Sequence, residues 1–98
     1  MTAEAVEVQR NEAAGRFEAK LGDEVAFAEY RVLGNGVILF PHTVVPDAFE
    51  GQGVGSALVR AALDWARAED AKVIPACSFF AAWIGRHPEY QDLVNERG

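Results

Sequence analysis

Residues Glu50-Gly51-Gln52-Gly53-Val54-Gly55-Ser56-Ala57-Leu58 set three glycines at alternate positions directly before an apolar repeat of helical period. Beyond them, Val54, Leu58, Ala62 and Trp65 fall on one face, flanked by Val59 and Leu63, while Ser56, Arg60, Asp64 and Arg67 line the opposite side. This spacing predicts an amphipathic helix of about four turns that starts near Val54. The glycines leave backbone N–H groups unobstructed, and the helix start adds free N–H groups at a positive dipole end. Such a loop suits a phosphate or pyrophosphate. The competing reading is a tight turn whose glycines only allow close packing against a sheet.

On the N-terminal side the period is two. Runs at residues 6–11, 16–21, 24–33 and 36–44 are separated by turn residues, among them Gly22-Asp23 and Gly34-Asn35-Gly36. In the second run Phe17, Ala19 and Leu21 share one face, and Arg16, Glu18 and Lys20 the other, as in a half-buried strand. This half reads as an antiparallel meander. After the helix, Lys72-Val73-Ile74-Pro75 reads as a short buried strand, residues 78–86 as a second helix stopped by His87-Pro88, and the tail as one further helical turn. Strand, helix and strand from Val37 to Ile74 make a right-handed βαβ unit. The expected fold class is therefore α+β (mixed α/β), a meander followed by βαβ with a glycine-started helix and a C-terminal helix.

Two familiar phosphate loops do not fit. A Walker A loop requires Gly-Lys-Ser/Thr at the helix start, but Gly55 is followed by Ser56-Ala57. The dinucleotide fingerprint G-x-G-x-x-G finds Ser56 or Leu58 at its last position, counting from Gly51 or Gly53. Neither nucleotide hydrolysis nor dinucleotide binding is expected.

Composition narrows the classes further. The 98 residues predict one domain of roughly 13 Å radius of gyration, with any site in a surface groove and no internal cavity. Nine Lys+Arg against fifteen Asp+Glu give a charge of −6, which argues against nucleic-acid wrapping and favours a cationic substrate or partner. The single cysteine, Cys77, excludes an intrachain disulfide and fits a cytoplasmic setting. Residues 1–4 lack the features of a secretory leader, and no eighteen-residue apolar run suggests a membrane span. One cysteine and two scattered histidines give no metal-ligand spacing.

With Val44-Val45-Pro46 before it, the glycine loop resembles the acetyl-CoA loop of the Gcn5-related N-acetyltransferases (GNAT superfamily). His42-Thr43 before the loop, and Val73-Ile74-Pro75-Ala76-Cys77 and Arg86-His87-Pro88-Glu89-Tyr90 after it, resemble the small single-domain branch of that superfamily. The likeness runs from about Gly15 to Leu93. It implies acetyl-CoA (coenzyme A) as co-substrate, and transfer of an acetyl group to an amine. Two departures are expected to matter: Glu50 replaces the Arg or Gln of the wider pattern, and these 98 residues read as lacking the N-terminal helical pair with which the wider superfamily builds its acceptor side.

On this likeness the pyrophosphate would rest on Gln52, Gly53, Val54, Gly55 and Ser56, and the pantetheine arm along Thr43, Val44 and Val45. Cys77 precedes a helix, whose positive end favours a thiolate that could take up the acyl group; the other reading is a small buried hydrophobe. His42, at a strand end, is the candidate base, or else a surface histidine. Arg86 and His87 are candidates for CoA phosphates, with helix capping the competing role for His87. Phe79, Phe80, Trp83 and Tyr90 could form a ligand box, but Phe79 and Phe80 stand at helical spacing from Trp83, so packing in the core is the expectation. A non-catalytic CoA-binding or protein-interaction module is the alternative to an enzyme.

Overall fold

The computed structural model describes residues 7–49 and 53–95. In chain order it contains β1 (Val8–Asn11), β2 (Arg16–Leu21), β3 (Glu24–Glu29), β4 (Arg31–Gly34), β5 (Val37–Leu39), β6 (Thr43–Val44) and a 3₁₀ turn (Asp47–Phe49). Then follow α1 (Val54–Ala68), β7 (Lys72–Ile74), α2 (Ser78–Gly85) and a 3₁₀ segment (Pro88–Leu93). The antiparallel meander feeds a β5-α1-β7 crossover whose strands pair in parallel, Ile38 opposite Val73, so the fold is mixed α+β. The Cα radius of gyration is 13.0 Å.

The middle of the meander departs from the sequence expectation. Residues 24–33 and 36–44 do not form two unbroken strands; each bends, at Tyr30 and after Leu39, and each half takes a different outer neighbour. β3 and β6 lie in a sheet of order β1-β2-β3-β6, whereas β4 and β5 lie in one of order β4-β5-β7. Gly34, Asn35 and Gly36, with φ of 91°, 56° and 72°, reverse the chain between β4 and β5, a conformation that glycine and asparagine reach with little strain.

Two gaps result from this partner switch. On one side the β1–β2 hairpin turns back just before Gly15, whose carbonyl accepts from Tyr30 N–H at 2.9 Å, while β4 runs on as the edge strand of the second sheet. On the other side, Phe40 N–H donates to Ile74 O and Cys77 N–H to Phe40 O, each at 3.0 Å. The ladder then stops at Pro41, which has no N–H to offer β7's continuation. β6 turns instead to β3.

Helix α1 covers the sheets with Val54, Leu58, Val59, Ala62, Leu63 and Ala66, all buried. Burying a side chain the size of Leu58 or Leu63 contributes about 1.5–3 kcal/mol. The opposing stripe stays largely exposed but is hydrogen-bonded to its neighbours: Ser56 accepts from α2, and Arg60, Asp64 and Arg67 bond to the last 3₁₀ segment. Phe80, Trp83 and Tyr90 join the core as expected. Phe79 does not, at 38% exposure; its ring lies on Gly55.

Candidate functional site

The gap between β6 and β7 lies at the N-terminal end of α1, and the residues singled out in the sequence gather around it. Gly53 is the N-cap in the left-handed region, φ 71°, and no side chain caps the helix. The first intrahelical bond runs from Ala57 N–H to Gly53 O at 3.0 Å. The N–H groups of Val54, Gly55 and Ser56 precede it, and none of them has an intrahelical acceptor. No acidic residue stands in that turn, where the helix dipole is positive. Glu50, Gly51 and Gln52 lie outside the described residues.

α2 begins in the same neighbourhood. A Cβ built on Gly55 would come 2.7 Å from Phe79 Cζ, so the second residue of α2 packs directly on the first turn of α1. One turn further along, Trp83 Nε1 donates to Ser56 Oγ at 2.8 Å. Trp83 is also stacked on the His87 ring, centroids 3.6 Å apart and planes 7° from parallel. His87 Nδ1 lies 2.7 Å from Trp83 O, the geometry of a side chain closing a helix C-terminus. Arg86 is exposed at the same end.

Cys77 is the N-cap residue of α2, with φ −77° and ψ 130°. Its half-buried thiol lies 3.4 Å from Thr43 Oγ1, a contact that ties the end of β7 to β6 across the gap. Partial burial of the sulfur opposes ionisation, but hydrogen bonding from the Thr43 hydroxyl and from the backbone of Phe80, Phe79 and Thr43 outweighs it. The thiol pKa is held below its ordinary value.

His42 stands apart from this group. Thr43 pairs with Ala28 and Val44 with Phe27, while the His42 carbonyl accepts from Glu29 N–H at 2.8 Å. Residues directly opposite on antiparallel strands share a face. Thr43 therefore shares the helix-covered face with buried Ala28, and His42 lies with Glu29, Phe27 and exposed Val44 on the other face. The thiol's side-chain partner is Thr43. Val44 and Val45 are 45% and 37% exposed, leaving apolar surface on the strand proposed for the pantetheine arm.

Several partners have no sequence signal of their own. Tyr90 Oη donates to Asp64 Oδ1 at 2.7 Å, and Arg67 forms a two-pronged pair with Asp92 at 3.0 and 3.1 Å. Both contacts join residues more than twenty positions apart. Among the described residues no group of three or more His, Cys, Asp or Glu side chains could hold a metal ion. No described helix is long and apolar enough to cross a membrane.

A meander followed by a parallel βαβ unit, with the helix starting at a glycine loop, is the architecture of an acetyltransferase fold. Residues 16–93 match the family described as GCN5-related N-acetyl-transferase, and the chain belongs to that family. Protein NATD1 of Gallus gallus is 34% identical over 64 residues, covering 65% of this chain and 58% of that protein. Protein NATD1 of Homo sapiens is likewise 34% identical over 64 residues, covering 65% of this chain and 57% of its own length. The match thus spans less than two thirds of those relatives. A GCN5-like protein from Staphylococcus aureus, solved by NMR in solution, superposes with a TM-score of 0.72 at 32% identity, over 92% of this chain and 88% of the other.

Proposed function

We propose that this chain is an acetyl-CoA-dependent N-acyltransferase that moves an acetyl group to an amine and works in the cytoplasm. The observation that carries this reading is the uncapped first turn of α1 at Gly53, set against the N-terminus of α2 and its Cys77. Pyrophosphate oxygens would accept from the N–H groups of Val54, Gly55 and Ser56, with Gly53 and Gln52 at the loop's approach. The arm of the donor would follow Thr43, Val44 and Val45 toward the gap. Arg86 and His87 would serve the outer phosphates, with His87 held in place by Trp83.

In the chemical step, Cys77 Sγ attacks the acetyl carbonyl. A new C–S bond forms, the C–S bond to CoA breaks, and CoA leaves as its thiol carrying the proton that Cys77 gave up. An amine then attacks the acyl-cysteine; the C–N bond forms, the C–Sγ bond breaks, and the departing sulfur takes the amine proton. This route gives His42 no part at the thiol, in keeping with its place on the opposite face. Direct attack of the amine on the thioester would make Cys77 dispensable. The test is single-turnover acetyl transfer to a panel of polyamines, lysine peptides and small amines. Cys77→Ala should slow it by at least about tenfold. An unchanged rate would remove the acyl-cysteine, while binding without turnover of any amine would favour a non-catalytic CoA-binding or interaction module. That second reading draws on the position of His42 away from the gap.

A further inference from the structure

The other gap, where β4 runs on past the β1–β2 hairpin, forms a groove that none of the chemistry above uses. Arg10, Glu12, Tyr30, Val32, Trp65 and Glu69 line a cavity of about 370 Å³. A smaller hollow of about 130 Å³ shares Val32, Trp65 and Glu69 with it, so the two adjoin. The groove lies at the C-terminal end of α1, roughly 20 Å along the helix axis from the glycine loop.

Its walls already hold one organic cation. The Arg10 guanidinium lies 4.9 Å from the centre of the Trp65 ring, and its Nη1 donates to Tyr30 Oη at 3.0 Å. The Trp65 and Tyr30 rings stand 4.8 Å apart, tilted by 49°, giving an aromatic corner that attracts positive charge. Arg10 reaches Glu12 at 3.8 Å, whereas Glu69 makes no ion pair among the described residues. Glu12 and Glu69 against Arg10 leave one negative charge in excess. Glu69 is moreover the C-cap residue of α1, where exposed helix carbonyls are themselves negative, and the one cation the groove gives it, Arg10, is shared with Glu12.

We infer that this groove binds an alkylammonium, with the ammonium facing Glu69 and the methylenes lying over Trp65 and Val32. Val32 is 64% exposed at the groove's open side, which leaves an apolar rail for an aliphatic chain. The volume is at the small end of ligand sites, suited to one extended chain. A free polyamine and a lysine side chain both present this chemistry.

The test is an NMR titration of the whole chain with spermidine, with Gly-Lys-Gly amide, and with Gly-norleucine-Gly amide as the uncharged control. Saturable shifts of the Trp65 indole and the Glu69 amide are expected with a cationic probe and not with the control, and the tighter cationic arm identifies the source. Glu69→Gln should weaken binding about fivefold, as loss of one partly screened charge contact does. Glu69 is exposed, so the variant should retain the native spectrum; Glu12→Gln repeats the test at a second exposed carboxylate. The inference is overturned if neither cation gives saturable shifts up to about 20 mM, if the control binds equally, or if both carboxylate variants bind like the parent.

Discussion

At its N-terminal end, helix α1 offers backbone donors with no acid in the first turn, beside a cysteine at a second helix start. At its C-terminal end it offers Glu69 and two aromatic rings, with an arginine from β1 laid across one of them. Both gaps come from one event: the β3–β4 and β5–β6 pair bends and changes neighbours. Strand topology makes two similar openings. The helix polarity and a few side chains then give them opposite electrostatic character, one suited to an anion and the other to a cation.

Substitutions at each end of α1 test this division. The largest effect should come from Trp83→Ala, because Trp83 is 2% exposed, bonded to Ser56 and stacked on His87; the expected loss is about 3–5 kcal/mol in urea unfolding. Trp65→Ala, at the half-buried open end, should cost clearly less. An equal or larger loss at Trp65 would mean that the second groove is part of the core.

Next in size is Gly53→Ala. A Cβ there meets nothing within 4 Å, but φ of 71° strains any L side chain, so the cost should be about 1–2 kcal/mol and purely conformational. Gly55→Ala inverts this logic. Its backbone is helical, so helix propensity gains about 1 kcal/mol while the Phe79 ring is pushed aside. Stability should hardly change and acetyl-CoA binding should weaken. Equal stability losses at both glycines would contradict the separate roles assigned to them.

The smallest effect is a titration. Because hydrogen bonds in the folded state favour the thiolate, alkylation of Cys77 by iodoacetamide should reach half-maximal rate at a lower pH in the native protein than in urea. The depressed pKa means that the native chain gives up this proton more readily than the unfolded one. Thr43→Val should move the native midpoint upward and His42→Ala should leave it unchanged, since His42 is on the far face. A shift with His42→Ala alone would reverse the assignment of partners.

Much of this was legible in the residues. The 3.6 period through Val54, Leu58 and Ala62 placed α1, and Gly53-Val54-Gly55 marked the opening of its N-terminus. The partner switch was not legible, because alternation continues through Tyr30 and Phe40 whichever neighbour the strand has. The face of His42 depended on that switch: period two says that His42 and Thr43 point apart, but only the β3–β6 pairing says which meets Cys77. Phe79 was read as core from its spacing, yet helical spacing alone cannot reveal that a glycine on another helix has made room for an exposed ring. Arg10 on Trp65 joins residues 55 positions apart and leaves no local trace.

The most direct test of the central claim is a titration of the whole chain with acetyl-CoA, followed by calorimetry and by the amide signals of Val54, Gly55 and Ser56. Saturable binding is expected, with those three amides shifting strongly and the Glu69 end of the helix unmoved. No heat and no shift at millimolar acetyl-CoA, or shifts confined to the Trp65–Glu69 end, would contradict it.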